Sequence, residues 1–327
     1  MTTRRETLRL VAGIGLCAAL GAQAARLPRI GYLLLGPVYD TPSVERRAFL
    51  DGLRALGHVA DRTIEIIYKS AEGETVFLDA TIRELIDLRP DVIVVSSAVT
   101  LLALKKATRT IPIVMLAIGD PVGVGAVASL ARPGGNITGV SFISSDLAQK
   151  RVELLRAVAP RARTLAVLWD MRNANTRNES KAVEVAARGL GFSIRPMPIR
   201  SETDLAAALV ALARNRPDTV YVCFEGQIVG SHGAILAQFG LDNRLPMVVG
   251  WTPLVDAGGL IAYAPHMPAI FARAAYFVDR ILKGARPAEL PIELPTRLEL
   301  VVNLKTAKAI GTAIPGDLLL RADRVIE

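Results

Sequence analysis

The sequence predicts an α/β protein of two lobes, each built on a parallel sheet flanked by helices. Short apolar runs alternate with amphipathic helical segments, a pattern typical of parallel strands covered on both faces. The alternation restarts near residue 143, which predicts a second α/β unit after the first. A chain of 327 residues, 51% of them hydrophobic, is also long enough for more than one compact core.

The first half alternates strands and helices. Ser43 is suited to cap the first helix, Gly57 to end it, and Pro90 to close the second. Strands are predicted at 29–35, 63–68, 91–95, 111–118 and 137–142. Helices are predicted at 43–56, 76–88 and 99–108, with a short helical segment at 124–130.

The second half repeats the pattern and then becomes less regular. Strands are predicted at 164–169, 192–196, 219–224, 245–251, 259–263 and 298–302. Helices are predicted at 145–158, 178–190, 202–215, 229–239, 269–282 and 304–310. Prolines spaced over residues 287–295 indicate an extended connection, and a tail is expected from Pro315.

Residues 1–24 have the pattern of a secretory signal peptide. Arg4 and Arg5 precede an apolar run over residues 8–20, and Ala22-Gln23-Ala24 offers a cleavage site near Ala24. The apolar run is too short to span a bilayer comfortably, although an uncleaved anchor is the alternative. Export to the periplasm is therefore expected. Cleavage would leave Cys223 as the one cysteine, so the mature fold has no intrachain disulfide.

Several chemistries are not indicated. The net charge of +8 is scattered without a basic block, so no nucleic-acid partner is expected. His58, His232 and His266 lack ligand spacing, so no metal is expected, and no nucleophile–base motif is present. The glycines of residues 123–128 resemble a dinucleotide fingerprint only weakly, because no acidic residue closes the next strand. We expect neither a cofactor nor a catalytic site.

Polar and aromatic residues recur where predicted strands end, which is where ligands bind in open α/β sheets. The helix after Ser96 and Ser97 offers free N–H groups for a carboxylate. The alternative for each serine or asparagine is a helix cap, and for Asp120 or Glu225 a solvated loop charge. The candidate positions found in this way are Ser96, Ser97, Asp120, Asp170, Asn173, Asn175, Glu225, Gln227 and Trp251.

Several motifs together resemble one known family. The most specific are ATRTIPIV at 107–114, GDPVG at 119–123 and SLARPGGNITG at 129–139. Supporting segments are 29–32, 52–57, 89–94, 257–260, 281–284 and 303–308. On these residues the chain resembles the ABC-transporter substrate-binding proteins typified by tryptophan- and tyrosine-binding lipoproteins, over nearly the whole mature length.

The resemblance implies the type I periplasmic-binding-protein fold, with three crossovers between two lobes and the ligand in the cleft. One lobe would comprise residues 28–143 plus about 260–290, and the other 144–259 plus about 291–327. The crossovers would lie near 141–145, 252–262 and 290–300. The resemblance adds Ser141 to the candidate site. In the leading hypothesis Asp120 pairs with an amino group, Ser96 and Ser97 with their helix N-terminus hold a carboxylate, and Trp251 or Tyr39 offers an apolar face.

The predicted function is therefore a monomeric, non-enzymatic binding protein of an ABC importer. Its expected partners are a small-molecule ligand, an amino acid that is aromatic in characterised relatives, and an ABC permease in the membrane. One alternative is a ligand-sensing lobe for a signalling partner, and another is an enzyme on the same scaffold. A transcriptional regulator of related fold is disfavoured, because an export signal stands where a DNA-binding headpiece would be.

Overall fold

Residues 26–142, 144–224 and 231–327 are described by the structure, which is a computed structural model. The predicted signal peptide lies outside the described residues. Among the helices that the structure does describe, none combines the length and the apolar character needed to cross a membrane.

The first lobe contains a five-stranded, wholly parallel sheet in the order β2-β1-β3-β4-β5. Its strands are β1 Arg29–Leu34, β2 Glu65–Ser70, β3 Val92–Val95, β4 Ile113–Gly119 and β5 Ile137–Phe142. Its first helices are α1 Val44–Ala55, α2 Leu78–Asp87 and α3 Ala98–Ala107, and a short 3-10 turn spans Thr75–Phe77. Every residue of β3, β4 and β5 is buried, which is why these strands are continuous apolar runs rather than alternating ones.

The second lobe contains a seven-stranded sheet in the order β12-β11-β10-β9-β8-β6-β7. Its strands are β6 Thr164–Asp170, β7 Ser193–Ile199, β8 Thr219–Val222, β9 Met247–Val249, β10 Ile261–Pro265, β11 Leu298–Asn303 and β12 Arg324–Ile326. Its helices are α4 Ser144–Val158, α5 Ala174–Gly189, α6 Glu202–Arg214, α7 Gly233–Asp242, α8 Thr252–Asp256, α10 Leu304–Ile310 and α11 Gly316–Leu320. The pairing of β10 with β11 is antiparallel and the other pairings are parallel.

One long helix returns from the second lobe to the first. Helix α9, Met267–Leu282, packs along α1, and its Phe271 and Phe277 share a hydrophobic core with Phe49 of α1. A 3-10 turn at Pro287–Glu289 follows it. The chain then continues beside β5, where the N–H of Ser141 donates to the carbonyl of Glu293 (2.8 Å). The crossings between lobes therefore lie between β5 and α4, between β10 and α9, and between Glu293 and β11.

These crossings correct the predicted lobe boundaries. We expected residues from about 260 in the first lobe and a crossover at 252–262, but β10 pairs with β9 and β11 in the second sheet. We also expected residues from about 291 in the second lobe, but Glu293 is paired with β5 of the first. The apolar run of β10 would suit either sheet, so register with its neighbours decides its place and local sequence does not.

The loop after β4 is a second correction. The predicted short helix at 124–130 is wrong, because residues 121–125 form successive turns. Asp120 has a left-handed φ of 42°, and its Oδ1 accepts the N–H of Gly123 (2.8 Å). A Cβ at position 123 would lie 1.9 Å from the Asp120 carboxylate, so a larger residue there would displace that side chain from the turn. The tail from Pro315 also differs from expectation, since it contains α11 and β12.

Candidate functional site

A cavity of about 300 Å³ lies between the lobes, at the carboxyl ends of β1, β3 and β6. We call it the polar chamber because six polar residues line it. The first lobe supplies Thr75, Ser96 and Ser97, and the second supplies Asp170, Arg172 and Asn173. Leu34 and Leu35 complete part of its apolar wall. A small molecule in this chamber would touch both lobes at once.

A second cavity of about 330 Å³ adjoins the first, since Leu34 and Ser96 line both. We call it the aromatic chamber. Five aromatic side chains line it, namely Tyr32, Tyr39, Phe224, Trp251 and Phe271. Its walls also include Glu45 and Arg46. The two chambers together form a cleft with a charged, hydroxyl-rich end and an aromatic end.

The Asp170–Arg172 pair is the strongest charged feature of the polar chamber. Arg172 donates from Nε to Oδ1 (3.1 Å) and from Nη2 to Oδ2 (3.0 Å) of Asp170. The residue Asp170 is only 2% exposed, whereas the Arg172 side chain is 43% exposed. The hydrogen bond to Asp170 raises the pKa of Arg172, against the opposing effect of partial burial. The pair therefore places a fixed cation and a fixed anion side by side at the cavity wall.

Ser97 and Ser96 differ in what they do. The Ser97 Oγ accepts the N–H of Val99 (3.2 Å), so it caps α3, as the alternative interpretation of this residue predicts. Within the described chain no hydrogen bond is formed by the Ser96 side chain, which lies where the two chambers meet. The start of α3 faces the polar chamber through Ser97 and Val99, so the positive end of its dipole lies at the cavity.

A buried ion pair lies beneath the aromatic chamber, and sequence reasoning missed it. Arg151 of α4 and Glu179 of α5 are both fully buried, with Nη1 and Oε1 2.7 Å apart. Glu179 also accepts the Tyr221 hydroxyl (2.7 Å) and the N–H of Phe224 (2.9 Å). Burial raises the pKa of Glu179, and Arg151 with the other donors opposes that rise. The available signal was Arg151 itself, a charge on the apolar face of α4.

The Arg151–Glu179 pair connects the cleft to two crossovers. Ser144, just after the first crossover, donates from Oγ to Glu179 (3.1 Å). Arg151 Nε donates to the carbonyl of Tyr263 on β10, two residues before the second crossover begins (2.7 Å). A Cβ at Gly250 would lie 2.5 Å from that of Phe224 and 3.0 Å from the Arg151 guanidinium carbon, so only glycine fits there. The pair thus fixes Phe224 relative to both crossovers.

The structure brings together six of the predicted site residues. Ser96, Ser97, Asp170 and Asn173 line the polar chamber, and Tyr39 and Trp251 line the aromatic chamber with Ser96. Arg172 and the remaining aromatic residues of the cleft were missed. Arg172 was missed because it lies two residues after the end of a strand. Many solvated surface charges occupy the same kind of position, so the sequence does not distinguish Arg172 from them.

The other predicted residues occupy different places. Within the described chain, Asp120, Ser141 and Asn175 do not line these two chambers. Asp120 turns its carboxylate onto its own loop, and its Oδ2 lies 3.4 Å from Nδ2 of Asn178 in the other lobe. Ser141 is fully buried and donates to the carbonyl of Ile118 (2.8 Å), so its hydroxyl serves the sheet. Asn175 is buried beside Gly119. Glu225 and Gln227 lie outside the described residues.

No cluster of three metal-ligating side chains occurs among the residues that the structure describes. Cys223 is buried, and burial raises the pKa of its thiol well above the ordinary value. The thiol is therefore held in its protonated, weakly nucleophilic form.

Comparison with known proteins identifies the family. The model of the family described as ABC transporter substrate binding protein matches residues 39–326. The chain belongs to the ABC transporter substrate-binding protein family. A curated relative is the tyrosine-binding protein of Clostridioides difficile, 24% identical over 84% of this chain and 79% of that protein.

Solved structures of similar proteins agree with this assignment. An ABC domain from Streptococcus pneumonia in complex with L-Trp has 25% identity and a TM-score of 0.85, covering 92% of this chain and all of that one. A conserved domain protein from Vibrio cholerae has 27% identity, the same TM-score and the same coverage. The predicted two-lobed type I periplasmic-binding-protein fold is confirmed. The family match makes the chain an ABC transporter substrate-binding protein.

Proposed function

We propose that this substrate-binding protein is exported, captures an aromatic amino acid between its lobes and delivers it to the permease of an ABC importer. The observation that carries the proposal is the joining of the polar and aromatic chambers within one cleft. A zwitterionic head group suits the first chamber and an aromatic ring suits the second. The tyrosine-binding and L-Trp-bound relatives support the same ligand class.

The proposed binding step closes the lobes around the ligand. A head group in the polar chamber would contact Ser96 of one lobe and Asp170 or Arg172 of the other, so it would stabilise the closed arrangement over an open one. The contact of Asp120 with Asn178 would add a direct link between lobes in that closed state. The permease would then recognise the closed protein.

The proposal is tested by thermal unfolding of the protein against single amino acids. The preparation is first unfolded and refolded to remove any ligand carried through purification. Ligand at about 100 times its dissociation constant adds roughly 2.7 kcal/mol to the free energy of unfolding. At about 2 °C per kcal/mol for a chain of this size, that raises the midpoint by about 5 °C.

L-Tryptophan, L-tyrosine and L-phenylalanine are expected to raise the midpoint, and glycine, which has a head group but no ring, is the matched control. Mass spectrometry of the recovered ligand should show it unchanged, as expected for a binding protein. No shift with any aromatic amino acid would contradict the proposed ligand class, and turnover of the ligand would favour an enzyme.

A further inference from the structure

We propose that the Asp170–Arg172 pair recognises the head group of the ligand, with Arg172 binding the α-carboxylate and Asp170 binding the α-ammonium. This inference rests on the proposed function and names the residues that would make the site selective for a zwitterion. It assigns the ammonium to Asp170 rather than to Asp120, the residue that sequence reasoning favoured.

Arg172 has donors to spare on the cavity side. A guanidinium carries five N–H donors, and the hydrogen bonds to Asp170 use Nε and Nη2. Within the described residues, Arg172 Nη1 makes no hydrogen bond. The side chain lines the polar chamber and is 43% exposed, so this edge is open to a ligand. Arginine binds carboxylates through paired N–H groups, which makes the free edge well suited to an α-carboxylate.

Asp170 is held rigidly, and its carboxylate can accept a further hydrogen bond. Its Oδ1 accepts both the backbone N–H (2.9 Å) and the Nε of Arg172, while among the described residues its Oδ2 accepts only Nη2. Each carboxylate oxygen offers two lone pairs, so Oδ2 can accept one further hydrogen bond. The Thr176 hydroxyl donates to the Asp170 carbonyl and fixes the end of β6. A nearly buried carboxylate in a fixed position binds an ammonium more strongly than an exposed one does.

Asp120 is less suited to the same task. Its Oδ1 is used by the N–H of Gly123 and its Oδ2 approaches Asn178, so binding an ammonium would compete with the turn that Asp120 stabilises. Asp170 and Arg172 also present opposite charges next to each other, in the same arrangement as the two charges of an α-amino acid. The Ser96 hydroxyl across the chamber would add a contact from the other lobe.

The test separates the two charges of the ligand. Isothermal titration calorimetry compares L-tryptophan with 3-indolepropionate, which lacks the ammonium, and with tryptamine, which lacks the carboxylate. Arg172→Gln should weaken L-tryptophan and 3-indolepropionate at least about tenfold, the usual cost of losing a hydrogen bond to a charged group. Tryptamine binding should be unchanged or stronger, because Asp170 loses its competing cation.

Asp170→Asn should show the reverse pattern, weakening L-tryptophan and tryptamine while sparing 3-indolepropionate. Asp120→Asn is the matched control and should affect all three ligands alike. A purely structural role for the pair would weaken all three ligands together, and that result would overturn the inference. The inference would also be overturned if Asp120→Asn weakened the binding of L-tryptophan and tryptamine but not of 3-indolepropionate, while Asp170→Asn did not. If the unmodified protein binds L-tryptophan, these outcomes test only the assignment of the head group to Asp170 and Arg172. If the unmodified protein binds no aromatic amino acid, the proposed function is overturned as well.

Discussion

The buried Arg151–Glu179 pair makes a quantitative prediction about stability. Replacing Glu179 with alanine removes the partner of a guanidinium that has no exposed surface. Breaking a buried pair in this way costs about 3 to 5 kcal/mol, because an uncompensated charge remains in the core. The same change leaves the N–H of Phe224 and the hydroxyl of Tyr221 without their acceptor. At about 2 °C per kcal/mol for a chain of this size, the midpoint should fall by about 6 to 10 °C.

The assay is thermal unfolding followed by circular dichroism, with a double variant as the matched control. Arg151→Met combined with Glu179→Gln removes both charges and keeps an acceptor for the N–H of Phe224. Since replacing a whole buried pair by uncharged groups is often close to neutral, the double variant should be more stable than Glu179→Ala. A loss below about 1 kcal/mol in Glu179→Ala, or a double variant less stable than the single one, would refute this reasoning.

Two further predictions concern the first lobe and its helix α9. Gly139→Ala should cost at least about 2 kcal/mol, because φ at this position is 129° and the new Cβ would lie 2.3 Å from a carbonyl oxygen of β4. Gly135→Ala is the control: its new Cβ meets nothing within 4 Å, so the thermal midpoint should stay almost unchanged. Equal midpoints for the two variants would contradict this close approach. Burial raises the pKa of Asp279, but hydrogen bonds from Lys283 and His58 outweigh it and lower the pKa overall. The stabilising effect of the Asp279 carboxylate is therefore present above about pH 4, and it is lost as the pH falls through the lowered pKa. The midpoint difference between the unmodified protein and Asp279→Asn should therefore shrink between about pH 5 and about pH 2, and a constant difference would be inconsistent with that shift.

Local sequence predicted the elements that are buried on both faces. The apolar runs of β3 and β4 mark these strands to within two residues, because burial on two sides excludes polar residues along the whole strand. The short elements near the C-terminus were missed. Helix α11 has only Leu318 buried and β12 has no buried residue, so neither leaves a hydrophobic periodicity to detect.

The cleft residues that could be predicted from the sequence are those at the ends of strands. Ser96, Ser97 and Asp170 lie at or directly after strands, so the topology alone brings them to one edge of each sheet. Their binding roles stay predictions. Tyr32 and Phe271 could not be recognised in the same way, because they lie inside a strand and a helix that also build the core. The aromatic chamber depends on where α9 crosses back to the first lobe, and that is a property of tertiary packing.

The central claim, that an aromatic amino acid binds between the lobes, is tested most directly by the fluorescence of Trp251. The chain has two tryptophans, and Trp169 packs against the core of the second lobe, so Trp169→Phe leaves Trp251 of the aromatic chamber as the only tryptophan. Excitation at the red edge of the absorption band, where tyrosine does not absorb, then reports on Trp251 alone. Titration of this variant with L-phenylalanine or L-tyrosine should give a saturable change in emission that fits a single site, with no change for glycine. Emission that stays constant up to the solubility limit of both aromatic ligands would contradict the claim.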